Sequence, residues 1–150
     1  MREITYLVVH HTATPAMATR QQIKAMHLDR GFADIGYHKL IWPSGAIAQG
    51  RPDELMGAHA YGLNQGTLGV ACVGDYEANK PDPKLIDALV EVLATLCKRY
   101  GLKADKIIGH RDAVKINPKA DTTLCPGRYL YALMPEIRRR VKAQLGGGAS

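Results

Sequence analysis

Two short stretches of this chain are apolar almost from end to end: ITYLVVH at residues 4–10 and LGVACV at 68–73. Both are rich in β-branched residues and too short for a stable buried helix, so they read as strands. A strand without a polar face needs cover on both sides. That requirement, more than any other feature, limits the folds open to the chain.

The segments between and after these runs supply the cover. Thr19 with Gln22 forms a capping-box pattern that opens a short helix through Ile23 and Met26, ended by Gly31. HKLIWPSGAIAQG, 38–50, reads as two short strands joined by a Pro-Ser-Gly turn. The polar, glycine-bearing stretch from Arg51 to Gln65 reads as a loop. Asp82 and Pro83 mark a strong helix start, after which Leu85, Leu89, Val92, Leu93, Leu96 and Tyr100 recur at helical spacing up to Gly101. KIIG, 106–109, suits a short strand. A last helix spans about Tyr129 to Leu145, where Pro135 either kinks it or begins a second one. Strands and helices therefore alternate. The expected fold is a single α/β domain with a central, mixed, mostly buried β-sheet flanked by helices. Its expected extent is residues 1–145, with 146–150 as a flexible tail.

A net charge of +6 favours anionic surroundings without choosing among them. The cations are scattered apart from Arg138, Arg139 and Arg140, and they do not interleave with aromatic residues, so no nucleic acid partner is expected. No apolar run approaches the length of a membrane span. The opening MREITYLVVHH lacks a basic segment followed by a long apolar one, so synthesis in the cytoplasm without a leader is expected. Of the three cysteines, Cys72 and Cys97 fall in strand and helix patterns and suit buried thiols.

Six histidines remain to be placed. His10 and His11 are adjacent, and neighbouring side chains on a strand point to opposite faces, so the two cannot share one site. His10 ends the first strand and His110 follows KIIG, which delivers both to a sheet edge. Cys125 precedes Pro126 and Gly127, a turn signal, and an exposed loop thiol is a liability unless it is used. Two imidazoles and a thiolate form a known catalytic zinc set that leaves the fourth position open. These three are separated by about 100 and 15 residues, so spacing alone leaves ordinary structural roles open.

Five segments in order carry a more specific signal: VHHTAT, GYHKLIWPSGAIAQGR, GAHAYGLNQGTLGVACVGDY, IIGHRDA and DTTLCPG. Together they resemble the type 2 N-acetylmuramoyl-L-alanine amidases, a family that includes phage lysozyme-type amidases and peptidoglycan recognition proteins. The resemblance runs from about residue 4 to 142. It implies one zinc ion per chain, bound by His10, His110 and Cys125, with Tyr37 and Thr123 as catalytic residues. It also places His59 and Asn64 among positions that contact the muropeptide, although both residues equally suit loop positions that bond their own backbone. His27 and His38 are expected to be structural. His11 occupies a place where relatives vary, and is expected to point away and survive substitution.

The activity implied is hydrolysis of the amide between N-acetylmuramic acid and L-alanine of the stem peptide, as a phage endolysin acting on peptidoglycan. Such a lysin would be made in the host cytoplasm and act after release across the inner membrane, as a monomer. Two alternatives stand beside it: a non-catalytic peptidoglycan-binding module and a bacterial muropeptide-recycling amidase. The basic C-terminal helix suggests weak contact with anionic membrane or lipopolysaccharide, against the plainer reading of a packing helix with a solvated basic face.

Overall fold

The computed structural model describes residues 2–146. Five strands, β1 (Tyr6–His11), β2 (Lys39–Ile41), β3 (Ile47–Gln49), β4 (Thr67–Cys72) and β5 (Ile107–Gly109), form one sheet in the order β3-β2-β4-β1-β5. β1 pairs in parallel with both β4 and β5, and β2 is parallel to β4 but antiparallel to β3. The sheet is therefore mixed, and its two central strands are the two apolar runs. Every residue of β4 is buried.

The helices form where local signals start and stop them. Thr19 and Gln22 close the capping box of α1 (Arg20–Asp29). Asp82 accepts from the Lys84 N–H at 2.8 Å at the head of α2 (Pro83–Tyr100), and Gly101, with φ +68°, ends it. The short helix α3 (Ala113–Ile116) follows β5. The C-terminal pattern resolves into two helices, α4 (Arg128–Tyr131) and α5 (Met134–Gly146). Pro135 sits in the first turn of α5, where a missing N–H breaks no intrahelical bond. Gly146 thus belongs to α5, and residues 147–150 of the expected tail lie outside the described residues.

Alternation along the strands divides the core. Leu7, Val9, Leu68, Val70 and Cys72 face α2 and α5 and pack with Leu89, Leu93, Ile137 and Val141. Ala71 and Leu40 face the other way, toward α1, and pack with Ile23 and Ile35. The first, larger core is what makes the domain stable: each fully buried Leu, Ile or Val contributes roughly 1.5–3 kcal/mol relative to exposure. The second face is thinner, and the site occupies it.

The basic cluster on α5 is tied into the fold. Arg138 donates to the Ile107 carbonyl at 2.7 Å, Arg139 pairs with Glu136, and Arg140 pairs with Asp87 on α2 at 2.9 Å. This is the arrangement of a packing helix. No described helix is long and apolar enough to cross a membrane.

Candidate active site

Parallel pairing builds the site. Val9 is opposite Gly109, so the next residue on each chain, His10 and His110, leaves the same sheet edge side by side. Their ring centroids are 4.6 Å apart. Cys125 arrives from the far loop. Gly127 N–H closes the turn onto the Leu124 carbonyl at 2.8 Å, and Arg111 N–H donates to the Cys125 carbonyl at 2.9 Å, which ties the thiol loop directly behind His110. The Arg111 side chain stacks over Tyr131 at 4.2 Å and holds the Leu124 carbonyl. The ends of parallel strands are where such sheets usually place ligands.

One donor atom from each of His10, His110 and Cys125 lies within 4.8 Å of the other two. His10 Nδ1 is 3.6 Å from Cys125 Sγ. A tetrahedral ion with bonds of about 2.1 Å to nitrogen and about 2.3 Å to sulfur sets those two donors roughly 3.6 Å apart. The donor set therefore fits a tetrahedral metal ion of borderline softness.

Electrostatics agree with the geometry. Burial, reinforced by His110 and His59, holds His10 well below the usual imidazole range. Burial also lowers His110 to about 4. Neutral imidazole is the form that binds metal. Burial pushes the Cys125 thiol up to about 12, so it ionises at neutral pH only beside a cation.

Around this triad lies a cleft of about 230 Å³, walled by Tyr37, His27, Arg30, Ala58 and Thr123 among others. The Tyr37 ring lies 5.1 Å from that of His10, and burial raises its phenol well above the ordinary tyrosine value, so the O–H is retained. Thr123 Oγ1 accepts from the Cys125 N–H at 3.1 Å. Its own proton stays available to a ligand. Arg30, at the end of α1, brings a positive charge to the mouth; nothing in the sequence pattern marks it.

The remaining predicted residues have defined places. His59 is only 7% exposed and lies behind His10, with its Nδ1 2.8 Å from His10 Nε2. Asn64 Oδ1 accepts from the backbone N–H groups of His59 and Ala60, both at 2.8 Å, and so fixes the loop that carries His59. His27 Nδ1 accepts from Gly36 N–H at 2.8 Å, and His38 links the Leu55 carbonyl to Gly69 N–H. Both are structural ties between elements. His11 does point to the opposite face from His10, but it is no idle neighbour. It is 8% exposed, and its Nδ1 accepts from Tyr76 N–H at 3.0 Å. Removing the ring would orphan a buried donor, so the structure argues against the expected tolerance to substitution.

Residues 1–128 match the family model described as N-acetylmuramoyl-L-alanine amidase. The chain belongs to that family. Among curated relatives of this amidase-family chain, peptidoglycan-recognition protein SC1a/b of Drosophila simulans is 32% identical over 137 residues, covering 85% of this chain and 70% of the relative. Among solved structures, the endolysin N-acetylmuramoyl-L-alanine amidase LysCS from Clostridium intestinale superposes with a TM-score of 0.81 at 28% identity, covering 93% of this chain and 84% of that one. The ectodomain complex of peptidoglycan recognition proteins LCa and LCx bound to tracheal cytotoxin matches with a TM-score of 0.77 at 26% identity, covering 91% and 83%.

Proposed function

We propose that this chain is a zinc-dependent peptidoglycan amidase that cleaves the bond between N-acetylmuramic acid and the L-alanine of the stem peptide. The observation that carries the reading is the meeting of His10, His110 and Cys125 at one sheet edge, with the Tyr37 phenol beside them. A non-catalytic binding module has no need of a complete donor set next to a retained phenol proton. Zinc held by the three residues would supply Lewis acidity toward the amide carbonyl and a water nucleophile active near neutral pH.

The chain's own groups do the rest. Tyr37 keeps its proton because burial opposes phenolate, and so it donates to the oxygen that gains charge as the amide carbonyl is attacked. Thr123, whose Oγ1 accepts from the Cys125 N–H, has its hydroxyl proton free to donate to the substrate. It carries no charge, so its contribution is a hydrogen bond alone. His10 and His110 remain neutral donors, held so by burial. Arg30 at the mouth is placed to attract the carboxylates of a stem peptide.

The likeness to the Clostridium endolysin over 93% of the chain supports a lysin role. In that role the protein would be made in a host cytoplasm and act on the wall beyond the inner membrane. The decisive experiment is digestion of purified sacculi with and without a zinc chelator, scored by mass spectrometry. The expected products are glycan with free muramic acid and peptides beginning with L-alanine, both lost with chelator and restored by zinc. Glycosidic cleavage, or activity indifferent to the chelator, would overturn the assignment.

A further inference from the structure

We infer that His59 is a positioning residue that holds His10 in the Nε2–H tautomer and thereby leaves Nδ1 as its metal-binding atom. The inference rests on the metal site proposed above and concerns what lies behind it. A carbonyl can only accept, and Thr67 Oγ1 is 2.6 Å from the Leu63 carbonyl oxygen and 3.3 Å from that of Asn64. The threonine proton is therefore committed to a carbonyl. Its oxygen then accepts from His59 Nε2 at 3.1 Å, which fixes the proton of that ring on Nε2.

A neutral imidazole has one N–H, so His59 Nδ1 is an acceptor. The atom facing it, at 2.8 Å, is His10 Nε2, which must donate. His10 Nδ1 is left bare, and it is this atom that lies 3.6 Å from Cys125 Sγ. With exposures of 1% and 7%, both rings are kept neutral by their surroundings, and a direction set at one carbonyl passes unbroken to the metal site.

The slot that receives His59 is built for it. A Cβ on Gly69 would come within 2.6 Å of His59 Cγ, and one on Gly57 within 2.7 Å of His59 Cδ2. Two residues without side chains thus let the ring lie flat against β4 while Asn64 pins its backbone. Partners of this kind, which hold a ligand rather than touch the ion, typically contribute 10–100-fold to metal affinity.

The test measures zinc affinity by competition against a chromophoric chelator, together with ¹⁵N–¹H long-range spectra of the metal-free protein. His59→Phe fills the slot without an acceptor and should lose 10–100-fold in affinity. His59→Asn keeps an acceptor where Nδ1 lies and should stay within about threefold of the parent, since the hydrogen bond from His10 survives. The spectra should show His10 protonated on Nε2 in the parent, and a mixed or reversed tautomer in His59→Phe. A folded His59→Phe with parental zinc affinity, or a parent His10 protonated on Nδ1, would overturn the inference. If His59→Phe does not fold, Thr67→Val takes its place: it frees the His59 proton from Nε2, and the same tautomer shift is expected at His10. A parent that binds no zinc would sink the metal assignment instead, while the parent spectrum still decides the hydrogen-bond chain.

Discussion

Gly69→Ala tests how tightly the site is backed by the sheet. Gly69 lies within β4, where alanine has no backbone objection, so any cost comes from the new methyl group. Built on the existing backbone, that carbon lies 2.6 Å from His59 Cγ and 2.9 Å from Cδ2 and Nδ1. Ordinary carbon contacts are about 3.5–4.0 Å, so ring or strand must move by roughly 1 Å. The ring cannot yield cheaply, being bonded to His10 on one side and Thr67 on the other. Overpacking of this kind costs about 1–3 kcal/mol. Breaking the His10–His59 bond leaves a buried N–H without a partner, a further ~1–3 kcal/mol. The expected loss is about 2–6 kcal/mol, a large part of the roughly 5–15 kcal/mol that holds a domain folded. In urea the midpoint should fall by about 1–3 M at the usual denaturant sensitivity, and zinc affinity should fall with it. Gly31→Ala is the control. Its methyl meets nothing within 4 Å although φ is +90°, so it should cost only backbone strain of about 1–2 kcal/mol and leave zinc binding alone. Gly69→Ala within about 0.5 kcal/mol of the parent, with unchanged zinc affinity, would refute the reasoning.

Four further outcomes are expected. Tyr37→Phe should slow hydrolysis of purified peptidoglycan by 10²–10³, about 2.7–4 kcal/mol, with zinc content unchanged; near-parental turnover would remove the phenol from the reaction. His11→Ala should cost about 1–3 kcal/mol in chemical denaturation by orphaning the Tyr76 N–H, while a neutral effect would restore the view that the residue is dispensable. Asp53→Ala should cost about 3 kcal/mol, because Lys39, only 14% exposed, would lose its carboxylate at 3.1 Å; thermal unfolding reads this directly. Finally, burial depresses all six imidazoles, His27 and His110 to about 4, so the unfolded chain binds more protons than the folded one below pH 6.5. Stability of the metal-free protein should therefore fall steadily from about pH 6.5 toward pH 4, with net proton uptake on unfolding across that window. A flat stability profile across that window would show the rings to be more solvated than the fold implies.

The elements set by local chemistry are legible in the sequence itself. The capping box at Thr19, the Asp82–Pro83 start and the Gly101 stop each act within a few residues, and each appears where expected. The three candidate donors and Tyr37 are singled out in the sequence by linked motifs, and the fold brings them together. What brings His10 and His110 together, the pairing of β1 with β5, depends on contacts between segments about 100 residues apart that no local pattern encodes. The task of His59 is hidden for the same reason. Its loop has no periodicity, and its position is set by Asn64 nearby and by Gly69 and Thr67 on a strand across the site. The role of His11 escapes the alternation rule, because a strand end can be buried on both faces and alternation alone does not reveal it.

The edge strand β5 has one more consequence. It is three residues long and is held on one side only, by β1. So short an edge should fray readily, and its amides should be among the quicker ones in the sheet to exchange with solvent. An ion gripped by His10 on the central strand and His110 just past the end of β5 would clasp that margin shut. Metal loading should then register as slowed exchange at Ile107–Gly109, far more than in α2 or β4. For this fold the ion would be a fastening of the sheet as well as an instrument of chemistry.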